Sequence, residues 1–304
     1  MKASFFRRYG GPEVLEYGEL PDPAPRTGEL LVEVHAASVN AADWKMRSGH
    51  YGSAVAFPHV PGRDFSGVVV TSGAHFKPGD AVFGVCEVPR EGAYAERLAI
   101  RELIVARKPE KLSHVQTAAI ALIGLTAVIS IEETLKLKRG ETILIQGGAG
   151  GVAGFAIALA RHIGARVITT ASTANHDYVR KLGADQVIDY RSQDFTKVLK
   201  DVDAVFDTVG GDVTQLSFAV LKPGGRLASI AGGGTPPPSP RSDATSLRPK
   251  VDRDRPHLNR VAELVTKGVV PLPEITEYPL AKASDAHRLS EGRHLRGKLV
   301  LRVR

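Results

Sequence analysis

Six residues, Gly148-Ala149-Gly150-Gly151-Val152-Ala153, have the types and spacing to do chemistry on a charged ligand. They read G-x-G-x-x-A, and the dinucleotide-binding fingerprint accepts Gly or Ala at its last position. Gly148 is expected to permit the tight turn, and Gly150 to let the backbone approach a pyrophosphate. Position 153 asks only for a small side chain, and Gly154 beside it relaxes the packing further. A helix opening at Gly151 would offer its unpaired N–H groups to the anion. Such glycine turns also occur in other α/β units. Here an apolar strand precedes the loop, a helix follows it, and a second strand comes at the right distance.

An NAD site usually sets Asp or Glu about 20 residues further on, against the ribose hydroxyls. This chain has Thr170-Ala171-Ser172-Thr173-Ala174-Asn175-His176 there, with no carboxylate before Asp177. A carboxylate would repel a 2′-phosphate, whereas Ser172, Asn175 and His176 offer it donors. The electrostatics favour NADPH over NADH, the alternative being a ribose held by neutral groups.

Other reactive side chains point nowhere so specific. The 10 histidines show no metal-ligand spacing, and one cysteine, Cys86, can form neither an intrachain disulfide nor a cysteine zinc cluster. Cys86 lies on a β-rich run and reads as a packed thiol. Tyr278-Pro-Leu-Ala-Lys282 matches the Y-x-x-x-K of short-chain dehydrogenases, but Pro279 argues against the helix interior that pair needs.

The elements that must position the glycine loop follow a clear change of pattern. Up to residue 112 the chain is a series of short β-rich runs punctuated by Gly and Pro, such as "GELLVEVHAASVN", "DFSGVVVTSG" and "GDAVFGVCEV". These suggest a small barrel-like β domain. At "SHVQ", Ser113 and Gln116 fit a capping box that starts a helix. The apolar stretch Thr117–Ile131 is too short for a bilayer and is expected to form a buried helix pair. From "ETILIQG" onward, strands and helices alternate, which argues a parallel sheet with helices on both faces. "GGGTPPPSPRSDATS", 232–246, reads as a mobile loop.

With 304 residues the chain is long enough for two domains. Its balance of 40 basic and 33 acidic residues gives a net +7 that is scattered, with mild clusters at Arg248–Arg260 and Arg288–Arg304. This argues against a nucleic-acid partner. The N-terminus lacks the apolar core of a secretory signal. Together with the lone cysteine, this gives a reducing, cytoplasmic setting with no membrane partner as the expectation.

Taken in order, "GPEVLE", "VHAASVNAADWKMRSG", "PGRDFSGVV", "KPGDAVFG", "GLTA", "QGGAGGV", "LGADQVIDYR", "FDTVGG", "LKPGGRL" and "HLRGKLVL" give the chain a family likeness along nearly its whole length. It resembles the medium-chain dehydrogenase/reductase superfamily, in its zinc-free quinone oxidoreductase branch. The resemblance implies an α/β fold: a GroES-like β-barrel domain, 1–112 completed by 272–304, and a Rossmann doubly wound parallel sheet, 113–271. It places the cofactor in the cleft between them. It also implies NADPH-dependent reduction of quinones, or of the activated C=C of enones and alkenals. An enoyl reductase tailoring one metabolite and a non-catalytic NADPH-binding redox sensor remain alternatives.

Zinc-dependent relatives carry Cys at the position of Asn40 and His at that of Arg63, so no zinc is expected. By resemblance, Asn40 lies near nicotinamide and substrate. Lys45 and Tyr51 occupy substrate-side positions, where either could steady an enolate or hydroquinone oxygen or donate a proton. Some quinone reductases carry Tyr where this chain has Lys45, which leaves the acceptor open. Thr126 would touch the cofactor near its nicotinamide, Gly148, Gly150, Gly151, Val152 and Ala153 would hold the pyrophosphate, and Tyr190 would lie beside the adenosine. Val209 and Ile230 end Rossmann strands, and His294 belongs to a segment that closes over the cofactor. The 232–246 loop lies where relatives often pair subunits, leaving monomer and homodimer both open.

Overall fold

The computed structural model describes residues 1–52, 55–232, 234–292 and 295–304. It divides into two compact units, one of Met1–Leu122, Arg253–Thr266 and Leu272–Arg304, the other of Ile123–Asp252 and Lys267–Pro271.

The first unit is built around one long strand, Glu29–Val39, whose alternating burial turns Leu30, Val32 and Val34 into the core. Its residues 29–33 pair antiparallel with Arg97–Arg101, and Ala36–Val39 pair with Lys298–Arg302. Asp64–Val69 runs along its other edge, with a register shift between Val34 and Ala36. At that irregularity a Cβ on Gly67 would overlap Glu33 O, so only glycine lets the two backbones approach. The sheet continues through Ala81–Val85 to Val105–Arg107 and closes on the far side with Ile275–Pro279.

The sequence puts its boundary after residue 112, whereas this unit runs to Leu122. The reason is packing: Ala118 and Ala119, with Val115 beside them, bury against Ala36 and Val300. The helix Arg255–Thr266 also belongs to this unit, through Arg255 bonds to the carbonyls of Val105 at 2.9 Å and Glu102 at 3.0 Å.

The second unit holds a six-stranded parallel sheet in the order Gln186–Ile188, Arg166–Thr170, Thr142–Gln146, Val202–Asp207, Leu221–Ser229, Thr245–Leu247. Strand order reverses between Thr142–Gln146 and Val202–Asp207, the switch point where such sheets open a ligand crevice. The helix Gly151–Ile163 is buried over Ala153–Ala160 and stops at Gly164, whose φ of +91° is open to glycine.

Ser113 and Gln116 form the expected capping box, with N···O distances of 2.9 and 3.1 Å. Where a helix pair was expected, one unbroken helix runs from His114 to Thr134; its 21 residues are long and apolar enough to cross a bilayer. Within the protein, 78% of its most apolar window is buried, so those side chains already have an apolar environment. Its last turn widens to an i→i+5 pattern, Leu135 N–H bonding Ser130 O at 2.9 Å, rather than breaking.

In and beside the described part of the proline-rich loop, expected to be mobile, two arginines bond backbone carbonyls. Arg241 donates to the carbonyls of Phe218 (3.0 Å) and Leu221 (2.6 Å), and Arg248 to those of Ser229 (3.0 Å) and Ala231 (2.5 Å).

Candidate active site

In the parallel-sheet unit the glycine loop sits at the carboxyl end of Thr142–Gln146, against the switch point. The turn itself is made by Gly147, with φ +76°, and not by Gly148 as the fingerprint suggested. Gly148 is needed for room, since a Cβ there would overlap Thr169 Oγ1 on the neighbouring strand. A Cβ on Gly150 would meet only Gly147 O, at 3.4 Å. The face of Gly150 is therefore open beside a 13-residue helix whose first N–H groups have no carbonyl ahead of them. That open backbone cradle fits a pyrophosphate. Ala153 is buried, as its place against the sheet requires.

Buried polar side chains hold the loop from beneath. Thr170 Oγ1 accepts from Gly147 N–H at 3.1 Å and donates to Gln146 Oε1 at 2.7 Å, and Gln146 Nε2 donates to Ser217 Oγ at 3.1 Å. Asp207, fully buried, gathers the next crossing: it accepts from Val209 N–H (2.9 Å), Gly210 N–H (3.1 Å), Thr214 Oγ1 (2.5 Å) and Ser229 Oγ (3.1 Å). These bonds set Val209, half exposed, beside Gly147, while Ile230 N–H bonds Asp207 O at 3.1 Å. An open cavity of about 300 Å³ lies at the same strand ends, between Gly210, Ser229, Ala231 and Pro236–Pro238.

Ser172, Asn175 and His176 come together past Arg166–Thr170. Asn175 Nδ2 donates to Ser172 Oγ at 3.2 Å, and His176 Nε2 lies 3.3 Å from Ala171 O. A carboxylate does approach this turn, from the following strand: Asp189 accepts from Thr173 N–H at 3.2 Å and from Thr173 Oγ1. The Thr173 hydroxyl first, then the Arg191 N–H on its other oxygen at 3.0 Å, hold its carboxyl below the usual range, so it is ionised. Next to it, exposed Tyr190 carries the Arg191 guanidinium 5.8 Å from its ring centre, a cation the sequence reading missed. Thr126 is buried in the long helix.

In the β-rich unit, Asn40 caps the helix Ala41–Arg47, and Asp43 reaches back to its N–H at 2.8 Å. The Asn40 amide is turned inward. Its Oδ1 accepts from Lys298 Nζ at 2.7 Å and its Nδ2 donates to Asp64 Oδ2 at 3.0 Å. Lys298 also donates to Val39 O at 2.6 Å and stands 3.8 Å from Asp64. Asp64 gains Ser38 Oγ and, at 3.2 Å, Leu122 N–H. Burial pushes the Asp64 carboxyl up and the Lys298 ammonium down, each charge opposing the shift of the other. Lys45 lies on the same helix with its ammonium 5.7 Å from the Trp44 ring, and Tyr51 is exposed beside His50. His294 lies outside the described residues.

A second buried chain props Asp43. Tyr94 OH donates to Asp43 Oδ2 at 3.1 Å, His287 Nε2 lies 3.2 Å from Tyr94 OH, and Arg47 Nη1 lies 3.1 Å from His287 Nδ1. Arginine cannot accept, so His287 Nδ1 is the acceptor and Nε2–H donates to Tyr94. Burial first, then Arg47, pushes the imidazole down to about 3, which keeps it neutral in that tautomer. Arg47 ends the chain on Glu291. Burial raises Asp43 to about 7, with Arg63 the strongest charge opposing it.

The sequence reading missed Asp43, Asp64, Lys298 and His287. Two of them left a signal: Asp43 stands three residues after Asn40 in a capping spacing, and Lys298 opens the apolar strand "KLVLR". Tyr278 lies in the strand Ile275–Pro279 and Lys282 ends a 3₁₀ turn, so this pair shares no helix face. Among the described residues, no group of three or more His, Cys, Asp and Glu side chains could hold a metal ion.

Comparisons with known proteins agree with this geometry. Residues 26–110 match the family described as "Alcohol dehydrogenase GroES-like domain", and residues 182–301 that described as "Zinc-binding dehydrogenase". The chain is 32% identical, over 99% of its length and 79% of the relative's, to the NADPH-dependent alkenal/one oxidoreductase of Arabidopsis thaliana chloroplasts. The solved quinone oxidoreductase of Coxiella burnetii superposes with a TM-score of 0.92 at 35% identity, covering 100% of this chain and 99% of the other. The Escherichia coli quinone oxidoreductase complexed with NADPH superposes at 0.89 and 30%, covering 99% of each chain.

Proposed function

The chain belongs to the medium-chain dehydrogenase/reductase superfamily, in its quinone-oxidoreductase-like branch, and from that premise we propose that it is an NADPH-dependent, zinc-independent reductase of quinones and of the activated C=C of enones and alkenals. One observation supports this most. An open glycine cradle at a helix N-terminus is followed by a strand end where Ser172, Asn175 and His176 share one turn, with the Arg191 guanidinium beside exposed Tyr190.

When bound, NADPH supplies a hydride; the protein positions and polarises. Gly150, Gly151, Val152 and Ala153 hold the pyrophosphate. Ser172, Asn175 and His176 take the 2′-phosphate, with Arg191 adding charge, and Tyr190 flanks the adenosine. The inward-turned Asn40 amide, locked by Lys298 and Asp64, is a positioning group that fixes the start of the helix bearing Lys45. Lys45 and Tyr51 steady the substrate oxygen and hand it a proton. A quinone thus gains a hydride and a proton to give hydroquinone; an enone gains the hydride at its β-carbon and a proton at its α-carbon or oxygen. Arg63 and an engaged Asn40 stand where zinc-dependent relatives have two ligands, which supports metal-free turnover.

The test is loss of NADPH absorbance with a panel of 1,4-naphthoquinone, a short alkenal and a simple enone. The expected result is turnover that prolonged chelation leaves intact. Tight NADPH binding without turnover of any panel member would replace this reading with that of a redox sensor.

A further inference from the structure

The short helix Ala41–Arg47 is gripped at both ends through a single imidazole. Asp43, in its first turn, takes two donors on Oδ2: the Asn40 N–H at 2.8 Å and Tyr94 OH at 3.1 Å. No hydrogen bond reaches Asp43 Oδ1 among the described residues. Arg47, in the last turn, donates from Nε to Gly10 O at 3.1 Å and from Nη2 to Glu291. Between them stands His287 of the helix Ala283–Glu291, fully buried. Its Nε2 lies 3.2 Å from Tyr94 OH and its Nδ1 3.1 Å from Arg47 Nη1, so one ring serves both ends of the short helix. Tyr94 spends its proton on Asp43, and Arg47 can only donate. The ring must therefore donate at Nε2 and accept at Nδ1, which neither a charged imidazole nor the other tautomer can do. Room for the tyrosine is built in as well. A Cβ on Gly62 would overlap the Tyr94 ring, and the φ of +98° there suits glycine.

Asp43 and Arg47 are four residues apart and share the buried face of the helix. Lys45 lies midway between them, about 200° round the helix axis from either. It is partly exposed, with its ammonium 5.7 Å from the Trp44 ring. A helix of 7 residues is marginal on its own, so its rotational setting comes from whatever holds its buried face. We infer that the chain Glu291–Arg47–His287–Tyr94–Asp43 is a clamp that sets the rotation of this helix and thereby aims Lys45 at the acceptor oxygen, with His287 and Tyr94 as positioning residues. This rests on the reductase reading and deepens it: Lys45 acts, and the clamp decides where its ammonium stands. A displacement of about 1 Å at a reacting group can cost about a hundredfold in rate. Loosening the clamp is expected to harm the acceptor side alone, since the glycine loop and Ser172 belong to the other compact unit.

The experiment is a double-mutant cycle between Tyr94→Phe and Lys45→Met. Tyr94→Phe removes only the hydroxyl that joins Asp43 to His287 and keeps the packed ring. One readout is kcat/KM for 1,4-naphthoquinone with NADPH. The other is the Kd of 1,4-naphthoquinone on NADP⁺-loaded protein, which cannot turn over. The single tryptophan of the chain, Trp44, lies on the clamped helix, so its quenching by the quinone reports that Kd. Tyr94→Phe is expected to lower kcat/KM about tenfold and to leave the Kd of NADP⁺ within about twofold. In the Lys45→Met background the same change is expected to cost less than about twofold, because its effect passes through Lys45. His287→Leu, which cuts both ring bonds, enters the same cycle, and His287→Gln, whose amide keeps a donor and an acceptor, is expected to recover part of the loss. Thermal melting of each variant reports whether it is folded, and any folded one of the three completes the cycle. Equal losses in the two backgrounds overturn the inference, as does an NADP⁺ affinity that falls as far as that for the quinone. So does wild-type kcat/KM in folded Tyr94→Phe. Turnover with an additive cycle fails only this inference. Quinone binding that weakens in Tyr94→Phe but not in the Lys45→Met background, without turnover by the wild-type protein, fails only the reductase reading.

Discussion

Replacing Lys298 by Met keeps the length of the buried stem and removes its charge, which isolates what the ammonium does beneath Asn40. In the native protein the Lys298 ammonium bonds Val39 O and Asn40 Oδ1 and faces the fully buried Asp64 carboxylate. Without it, Asp64 keeps Ser38, Asn40 and the Leu122 N–H but loses its one countercharge. Removing one partner of a buried pair costs about 3–5 kcal/mol, most of it from the charge left behind. The sign of the pH dependence follows. Burial already holds the Asp64 carboxyl above its usual value, and Lys298 is the main charge resisting this. Its removal drives the carboxyl further up. A carboxyl raised in the folded state contributes stability at low pH that is lost as pH rises through the folded pKa. The variant's deficit in urea unfolding is therefore expected to be largest at about pH 8 and clearly smaller at about pH 5. Adding Asp64→Asn removes the stranded charge and is expected to restore at least half of the loss and abolish its pH dependence. A deficit below about 1 kcal/mol at about pH 8, or one equal at both pH values, refutes the assignment of Lys298 as the countercharge of Asp64.

Other expectations are as direct. Gly148→Ala pushes a methyl group into Thr169 Oγ1 and is expected to cost about 1–3 kcal/mol in thermal unfolding and to weaken NADPH in a fluorescence titration. Ser172→Asp and Asn175→Asp each bring an uncommitted carboxylate to the proposed 2′-phosphate position. Each is expected to shift the NADPH-to-NADH affinity ratio at least tenfold toward NADH; an unchanged ratio places the phosphate elsewhere. Asp43, raised to about 7 by burial, contributes stability present below about pH 4 and lost as pH rises toward 7, on the order of 4 kcal/mol. Asp43→Asn should flatten the stability profile across that window, as urea unfolding would show.

The glycine loop was legible because its chemistry is local: a run of small residues between a strand and a helix has few other uses. That Ser172, Asn175 and His176 share one turn was legible for the same reason, since they lie within five residues. The turn residue was misassigned because Gly147 and Gly148 are adjacent and equally lacking in side chain; only φ and the position of Thr169 separate them. The polar cluster under Asn40 could not be read in the same way. Asp64 and Lys298 are 234 positions apart in sequence and meet only because strand Lys298–Arg302 pairs with Glu29–Val39. Nor could local periodicity show that the apolar stretch after Ser113 continues as one helix. Its final turn is held by i→i+5 bonds that leave no break in the sequence pattern.

The pairing of residues 299–302 with 36–39 has a consequence for the order of events during synthesis. The parallel-sheet unit is almost one continuous stretch, Ile123–Asp252, and its six strands are complete once Leu247 has left the ribosome. The β-rich unit, although begun first, must wait. Its central strand keeps an unpaired edge at Ala36–Val39, and Asp64 lacks its cation, until the segment containing Lys298 emerges. The later-encoded unit can thus fold before the earlier one. A nascent chain stalled before residue 298 would hold a finished dinucleotide sheet beside an exposed strand edge, the feature most prone to mispairing with other chains.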